Sequence, residues 1–220
     1  MFVGHFALAL AAKPRAPQVS LPVLFAAAQL ADLLWPLLVA AGIEHVRVAP
    51  GITAFTPLDF VSYPISHSLV MLLVWGVVFG WVGFVVLGRK GGGMRAWGVV
   101  LGLVVSHWFL DFVTHRPDMP VYPGGPRLGL GLWRSIPATL LTELVMFAGG
   151  VFVYARATRP RDATGRWTLV GMTVFLAAGF VVTALGPPPP SVQAVWMGAI
   201  AVMVLTLGLA HWVERHRVIT

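Results

Sequence analysis

The chain has no cysteine, and charge is scarce. The first absence removes disulfides, thiolate metal ligands and a cysteine nucleophile. Lys, Arg, Asp and Glu together make up 10% of the 220 residues, against about 25% in soluble domains. No polar stretch approaches the roughly 50 residues that a small independent core requires, so residues 1–220 read as one membrane domain. Acidic residues are the rarer sign: 8 against 15 Lys and Arg, for a net charge of +7. The basic residues are spread over short connections instead of forming one polar face. They therefore read as topology determinants and contacts to anionic lipid headgroups, and no nucleic-acid partner is expected. Also missing are a His-Glu-x-x-His zinc-protease helix and a Gly-x-Ser-x-Gly nucleophile elbow.

What is present is apolar: 58% of residues are hydrophobic and mean hydropathy is +0.84. A membrane crossing takes roughly 20 residues. On that length the pattern predicts an all-α, polytopic membrane protein with six transmembrane helices, at about 21–42, 66–87, 96–115, 135–155, 167–185 and 192–213. Residues 1–12 are too short to cross and read as a half-span or interfacial helix. Their basic neighbours, Lys13 and Arg15, follow the apolar run, whereas a signal peptide carries them in front, so the segment is expected to stay in the mature protein. A tight basic turn is expected around Arg89, Lys90 and Arg95. A Pro- and Gly-rich, lid-like loop is expected at 116–134, and Pro187 to Pro190 form a stiff turn.

With Lys13 in the cytoplasm, eleven basic residues fall on the inner side and four (Arg47, Arg116, Arg127, Arg134) on the outer. This fits the positive-inside rule for six spans with both termini cytoplasmic, in the inner (plasma) membrane.

Within this apolar frame a few ionisable groups stand out. His107, Asp111 and His115 follow one another at four-residue steps, on one face of the third predicted span. An ionisable group at bilayer depth costs about 2.5–3.5 kcal/mol on insertion scales. Such a stripe needs a partner, a cavity or a metal. At 1.5 Å per residue, Asp32 and His107 both lie about 16 Å from the inner ends of their spans, and Glu143 about 12 Å below the outer end of its own. His67 sits at the outer end of the second span, and His5 reaches the same level if residues 1–12 stand upright. The set describes a cavity opening outward. Neutral imidazoles and carboxylates are ligands for Zn, Mn or Fe, and a divalent cation neutralises buried acids.

The bland reading is that these polar pairs only hold helices together, that Glu143 pairs with an outer-loop Arg, and that His45, His211 and His216 are interfacial. His115 could belong to either set.

The order of these motifs resembles a family. An N-terminal His in an apolar segment (Gly4-His5-Phe6), an Asp in the next (Gln29-Leu30-Ala31-Asp32), a His-Ser pair opening a span (Ser66-His67-Ser68) and His-x-x-x-Asp (His107 to Asp111) resemble the YdjM-type, LexA-binding, inner-membrane metal-dependent hydrolases. The likeness covers residues 1 to about 120. Two departures stand out: the family's Pro-Asp-Leu-Asp is here Leu30-Ala31-Asp32-Leu33, which lacks one acid, and its His-Arg before Thr-His-Ser is replaced by Tyr63-Pro64. The phosphatidic-acid-phosphatase type also has a His-x-x-x-Asp, but its Lys-x6-Arg-Pro phosphate clamp is absent here.

The leading expectation is an integral-membrane, metal-dependent hydrolase. Its divalent ion, Zn before Mn or Fe, would be bound by His67, His107 and Asp111 with Asp32 and His5. Asp32 or Glu143 would serve as general base, and the substrate would be a lipid or lipid-linked ester or phosphoester. Two rivals come from other classes. A transporter or proton relay needs polar groups reaching both membrane faces, whereas the inner halves of spans three to six are almost wholly apolar. A non-catalytic membrane protein would use the cluster only for packing, and predicts no metal.

Overall fold

A computed structural model describes residues 1–87 and 92–220. Arg89 and Lys90 of the expected basic turn lie outside the described residues. The fold is mostly helical. Its elements are α1 (Val3–Ala12), α2 (Leu21–Ala28), α3 (Leu30–Ala40), the hairpin β1 (His45–Val48) and β2 (Leu58–Ser62), α4 (Pro64–His67), α5 (Leu69–Leu87) and α6 (Gly93–Thr114). There follow the short hairpin β3 (Met119–Pro120) and β4 (Arg127–Leu128), a 3₁₀ turn at Leu132–Arg134, α7 (Ile136–Ala157), β5 (Thr158–Pro160), α8 (Ala163–Leu185), α9 (Val192–Arg215) and β6 (Arg217–Ile219). β6 returns to pair antiparallel with β5.

Helices α6, α7, α8 and α9 are long and apolar enough to cross a membrane. The expected first span is not one straight helix. It breaks at Gln29 into α2 and α3, bent by 61°, and the pair counts as a fifth crossing if taken together. The expected second span also opens differently: Ser68 is extended and separates the single turn α4 from α5. The described apolar part of α5, Leu69–Val85, is shorter than the other four. Its face toward the surroundings carries Val70, Leu73, Val74, Val77 and Trp81, all exposed. A continuous apolar stripe of this kind is rare on soluble monomers and suits contact with lipid.

Residues 1–12 do not lie flat at an interface. α1 is buried along almost its whole length and packs against α2, α6 and α7. Gly150 of α7 permits this approach, since a Cβ built there would strike the carbonyl oxygen of Ala7. Small residues where helices touch bring backbones close.

The opposite end of the helices is tied by polar contacts. Lys13 donates to Glu214 at 2.5 Å and to the Val19 carbonyl at 2.6 Å. Arg217 donates to Thr158 Oγ1 and to the carbonyls of Thr158 and Gly165.

The stretch 116–134 is folded back on the end of α6. Leu130 N–H donates to the Phe112 carbonyl at 2.8 Å and Gly131 N–H to the His115 carbonyl at 2.7 Å, which satisfies acceptors left open where the helix stops. A Cβ at Gly129 would collide with the backbone of His115 and Arg116, so only glycine allows this contact. The hairpin β1–β2 completes the cover on this side, with Phe55 stacked on Trp133 and tilted against Phe180.

Candidate metal centre

α6 places His107 and Asp111 one turn apart on its inward face, and both are buried. The helix stops at His115, whose backbone turns extended two residues before Pro117. A proline cannot supply the N–H that the next turn needs, and it disfavours helix at the residue before it.

Three histidines around Asp111 share one feature: the partner of each Nδ1 determines which ring nitrogen carries the proton. His107 Nδ1 lies 2.8 Å from the carbonyl oxygen of Ala28, at the break between α2 and α3. A carbonyl only accepts, so Nδ1 donates, and in the neutral imidazole that binds a metal Nε2 keeps its lone pair. His67 Nδ1 lies 2.7 Å from Ser66 Oγ, and Ser66 Oγ lies 2.5 Å from Glu44 Oε2. The one hydroxyl proton goes to the carboxylate, so the serine oxygen accepts from His67 and its Nε2 is again unprotonated. His115 Nδ1 lies 2.9 Å from Asp118 Oδ1. A carboxylate accepts here too, and the same tautomer follows.

The three Nε2 atoms converge on one oxygen. His107, His115 and His67 stand 3.2, 3.8 and 3.9 Å from Asp111 Oδ2. Asp32 closes the group from α3, with Oδ1 3.4 Å from His67 Nε2 and Oδ2 3.9 Å from His107 Nε2. Two donors each about 2.0–2.1 Å from a shared tetrahedral ion stand about 3.3–3.4 Å apart. The observed separations bracket that value. They are also poor hydrogen bonds: His107 Nε2 is fully buried and has no hydrogen-bond partner among the described residues. Buried polar atoms are normally paired, and an orphaned lone pair aimed at a carboxylate is what a cation would satisfy. Two overlapping triads, His5–His107–Asp111 and Asp32–His67–His107, are therefore close enough to hold an ion.

His5 approaches from α1 on the other side of the carboxylate. Its Nε2 is 3.0 Å from Asp111 Oδ1 and its ring stacks on His107 with centroids 3.8 Å apart. The amino group of Met1 also contacts Asp111 Oδ1 and lies 3.2 Å from Thr114 Oγ1. His5 thus differs from the other three histidines, since its Nδ1 has no acceptor among the described residues.

Glu143 stands apart. Its Oε2 accepts from the backbone N–H groups of Phe2 at 2.7 Å and Gly4 at 3.2 Å, which pins the start of α1 to α7. Among the described residues no hydrogen bond or ion pair joins it to Asp111, Asp32 or the histidines, or to an outer-loop arginine. Of the two acids expected as general base, Asp32 is the one among the ligand-type groups. His45 and His211 are exposed, and His216 is partly exposed beside Asp162.

Sequence reasoning missed the groups behind the cluster. Glu44 accepts from the N–H groups of Ile65 and Ser66 at 2.8 and 2.9 Å as well as from the Ser66 hydroxyl, so one buried carboxylate caps α4 and orients His67. Asp118 receives His115, the Tyr63 hydroxyl at 3.1 Å and Arg116 Nε at 2.9 Å. Burial pushes the Asp118 carboxyl up, but the bonds from His115, Arg116 and Tyr63 outweigh it and hold it below the usual range. Arg116 in turn reaches Asp59 on β2, whose other oxygen takes Arg47 at 2.7 Å. A signal for Asp118 existed in its place three residues after His115; Glu44 offered none.

No family model, no curated protein and no solved structure matches this chain.

Proposed function

We propose that this chain is an integral-membrane, metal-dependent hydrolase of the kind its motif order resembles, with one divalent ion, Zn foremost, held by His67, His107 and Asp111. Asp32 and His5 complete the shell, and His115 lies within reach of the same carboxylate oxygen. The observation that carries the reading is the common orientation of the His67, His107 and His115 rings. Each has its Nδ1–H engaged by an acceptor behind the site and its Nε2 lone pair turned toward Asp111 Oδ2. Histidines that bind metal almost always donate their other ring N–H to a carbonyl, carboxylate or similar group.

A divalent ion held by these residues would supply Lewis-acid polarisation and bring the pKa of a water to about 7. The chain does the rest. Glu44 through Ser66, the Ala28 carbonyl and Asp118 hold three imidazoles in fixed orientation. Asp32, a quarter exposed where its neighbours are closed off, would take the proton of the attacking water as general base. In the membrane, α5 and the bent pair α2/α3 join α6 to α9 as six crossings. Both termini are then cytoplasmic in the inner membrane, and the His/Asp cluster opens to the outer side under the two hairpins.

Reconstitution with Co²⁺ tests the ligand set. The purified protein should take up the ion with a visible absorption that free Co²⁺ lacks, and His67→Ala and His107→Ala should each abolish or shift that spectrum. A spectrum unchanged by either substitution would count against it.

A further inference from the structure

A cavity of about 740 Å³ runs from Asp32 into the gap between α8 and α9, within the range of about 300–1,000 Å³ typical of small-molecule sites. Its walls are Phe175, Leu176 and Val182 of α8 facing Val195, Val202 and Met203 of α9, with the tip of the β1–β2 hairpin and the proline turn at its mouth. Among the described residues lining it, Asp32 is the one that is ionisable. The same side chain belongs to the His/Asp cluster, and at 26% exposure it is that cluster's opening, since His67, His107 and Asp111 are closed off. On their far sides α8 and α9 expose Val174, Leu185, Val204 and Leu205. The cavity is thus framed by two candidate membrane spans whose outer faces suit hydrocarbon.

A site with one ionisable end and mostly apolar walls, set between lipid-facing helices, selects an amphiphile by its shape and chemistry. We propose that this cavity seats one acyl chain of a membrane lipid and so delivers the ester or phosphoester at the head of that chain to the His/Asp cluster beside Asp32. The chemistry done at the head rests on the hydrolase reading above; the seat for the chain does not. Gly179 and Gly198 line the two walls, and a Cβ built on either meets nothing within 4 Å. A large side chain at these positions therefore fills the cavity without first breaking a contact, in contrast to Gly150.

The test uses the full chain reconstituted in vesicles of phosphatidylethanolamine and phosphatidylglycerol, with a phosphatidylglycerol probe bearing a diazirine near the end of one acyl chain. After irradiation, labelling should concentrate on cavity residues such as Leu176 and Met203. Gly198→Phe and Gly179→Phe should each lose most of it while keeping the helical circular dichroism and elution of the parent. His107→Ala should keep it. Labelling spread evenly onto outward residues such as Val204 and Leu205, or unchanged in both folded glycine variants, overturns the proposal. Metal analysis of the same samples separates the two ideas. Cavity labelling without bound metal sinks the hydrolase reading alone, and bound metal without cavity labelling sinks the acyl-chain seat alone.

Discussion

His107 donates its Nδ1–H to the carbonyl of Ala28 at 2.8 Å, across 79 residues of sequence. The acceptor is the last residue of α2, where the first predicted span bends by 61° into α3. That bend carries Asp32 toward His67 and turns the Ala28 carbonyl onto His107. A break in a membrane helix is tolerated where it is buried in protein and its polar groups find partners, and here one partner is a proposed ligand.

Glu44→Gln and Ser66→Ala remove no ligand, yet each disturbs the group that orients His67. Loss of such an outer partner typically weakens metal affinity about 10- to 100-fold. Competition with a chelator should show a drop of that order for both variants, with stoichiometric binding restored at high metal. Affinity equal to the parent would mean that His67 is not held from behind by this pair.

Glu143→Gln should separate support from chemistry. The carboxylate pins the N–H groups of Phe2 and Gly4, and hydrogen bonds to a charged group contribute about 1.5–3 kcal/mol. The variant is expected to melt earlier but to keep its metal and, once a substrate is in hand, most of its turnover. Asp32→Asn should do the reverse, with turnover lost and the melting temperature little changed.

How much of this was legible in the sequence depends on the range of the interaction. The helices α6 to α9 follow from runs of apolar residues, a local property, and the stripe of His107 and Asp111 follows from helical periodicity within one element. The meeting of His5, Asp32 and His67 with that stripe was expected from depth along each span, which is a one-dimensional argument, and the distances now give it three dimensions. The bend at Gln29 was not legible, because no glycine or proline stands there and Pro36 lies seven residues on. Neither was the Glu44–Ser66–His67 chain, which exists only once the β1–β2 hairpin has folded back. The likeness to a metal-dependent hydrolase family stays a reading of four short motifs.

Packing of α1 gives a prediction independent of any metal. Gly150→Val inserts atoms where the Ala7 backbone already sits, and overpacking of this kind costs about 1–3 kcal/mol. Thermal unfolding in detergent should fall by several degrees, and labelling of a cysteine placed at Ala7 should increase. Gly149→Val one residue earlier, where a Cβ meets nothing within 4 Å, should leave both unchanged.

Lys13 holds the other end. Its ammonium makes three bonds, to Glu214 and to the carbonyls of Pro17 and Val19. Lys13→Met should cost about 1.5–3 kcal/mol, the scale for charge-assisted bonds, seen as a lower unfolding midpoint in mixed micelles. Pairing it with Glu214→Gln should recover part of that loss, because the acid is then no longer left alone.

All the chemistry proposed for this site requires that the convergent histidines and Asp111 bind a divalent ion. Elemental analysis of the purified, detergent-solubilised protein after loading with Zn²⁺ and removal of the excess tests it most directly, beside His107→Ala combined with Asp111→Ala. One ion per chain in the parent and none in the folded double variant is the predicted result. A parent that retains no ion after loading, or a double variant that retains as much, would contradict it.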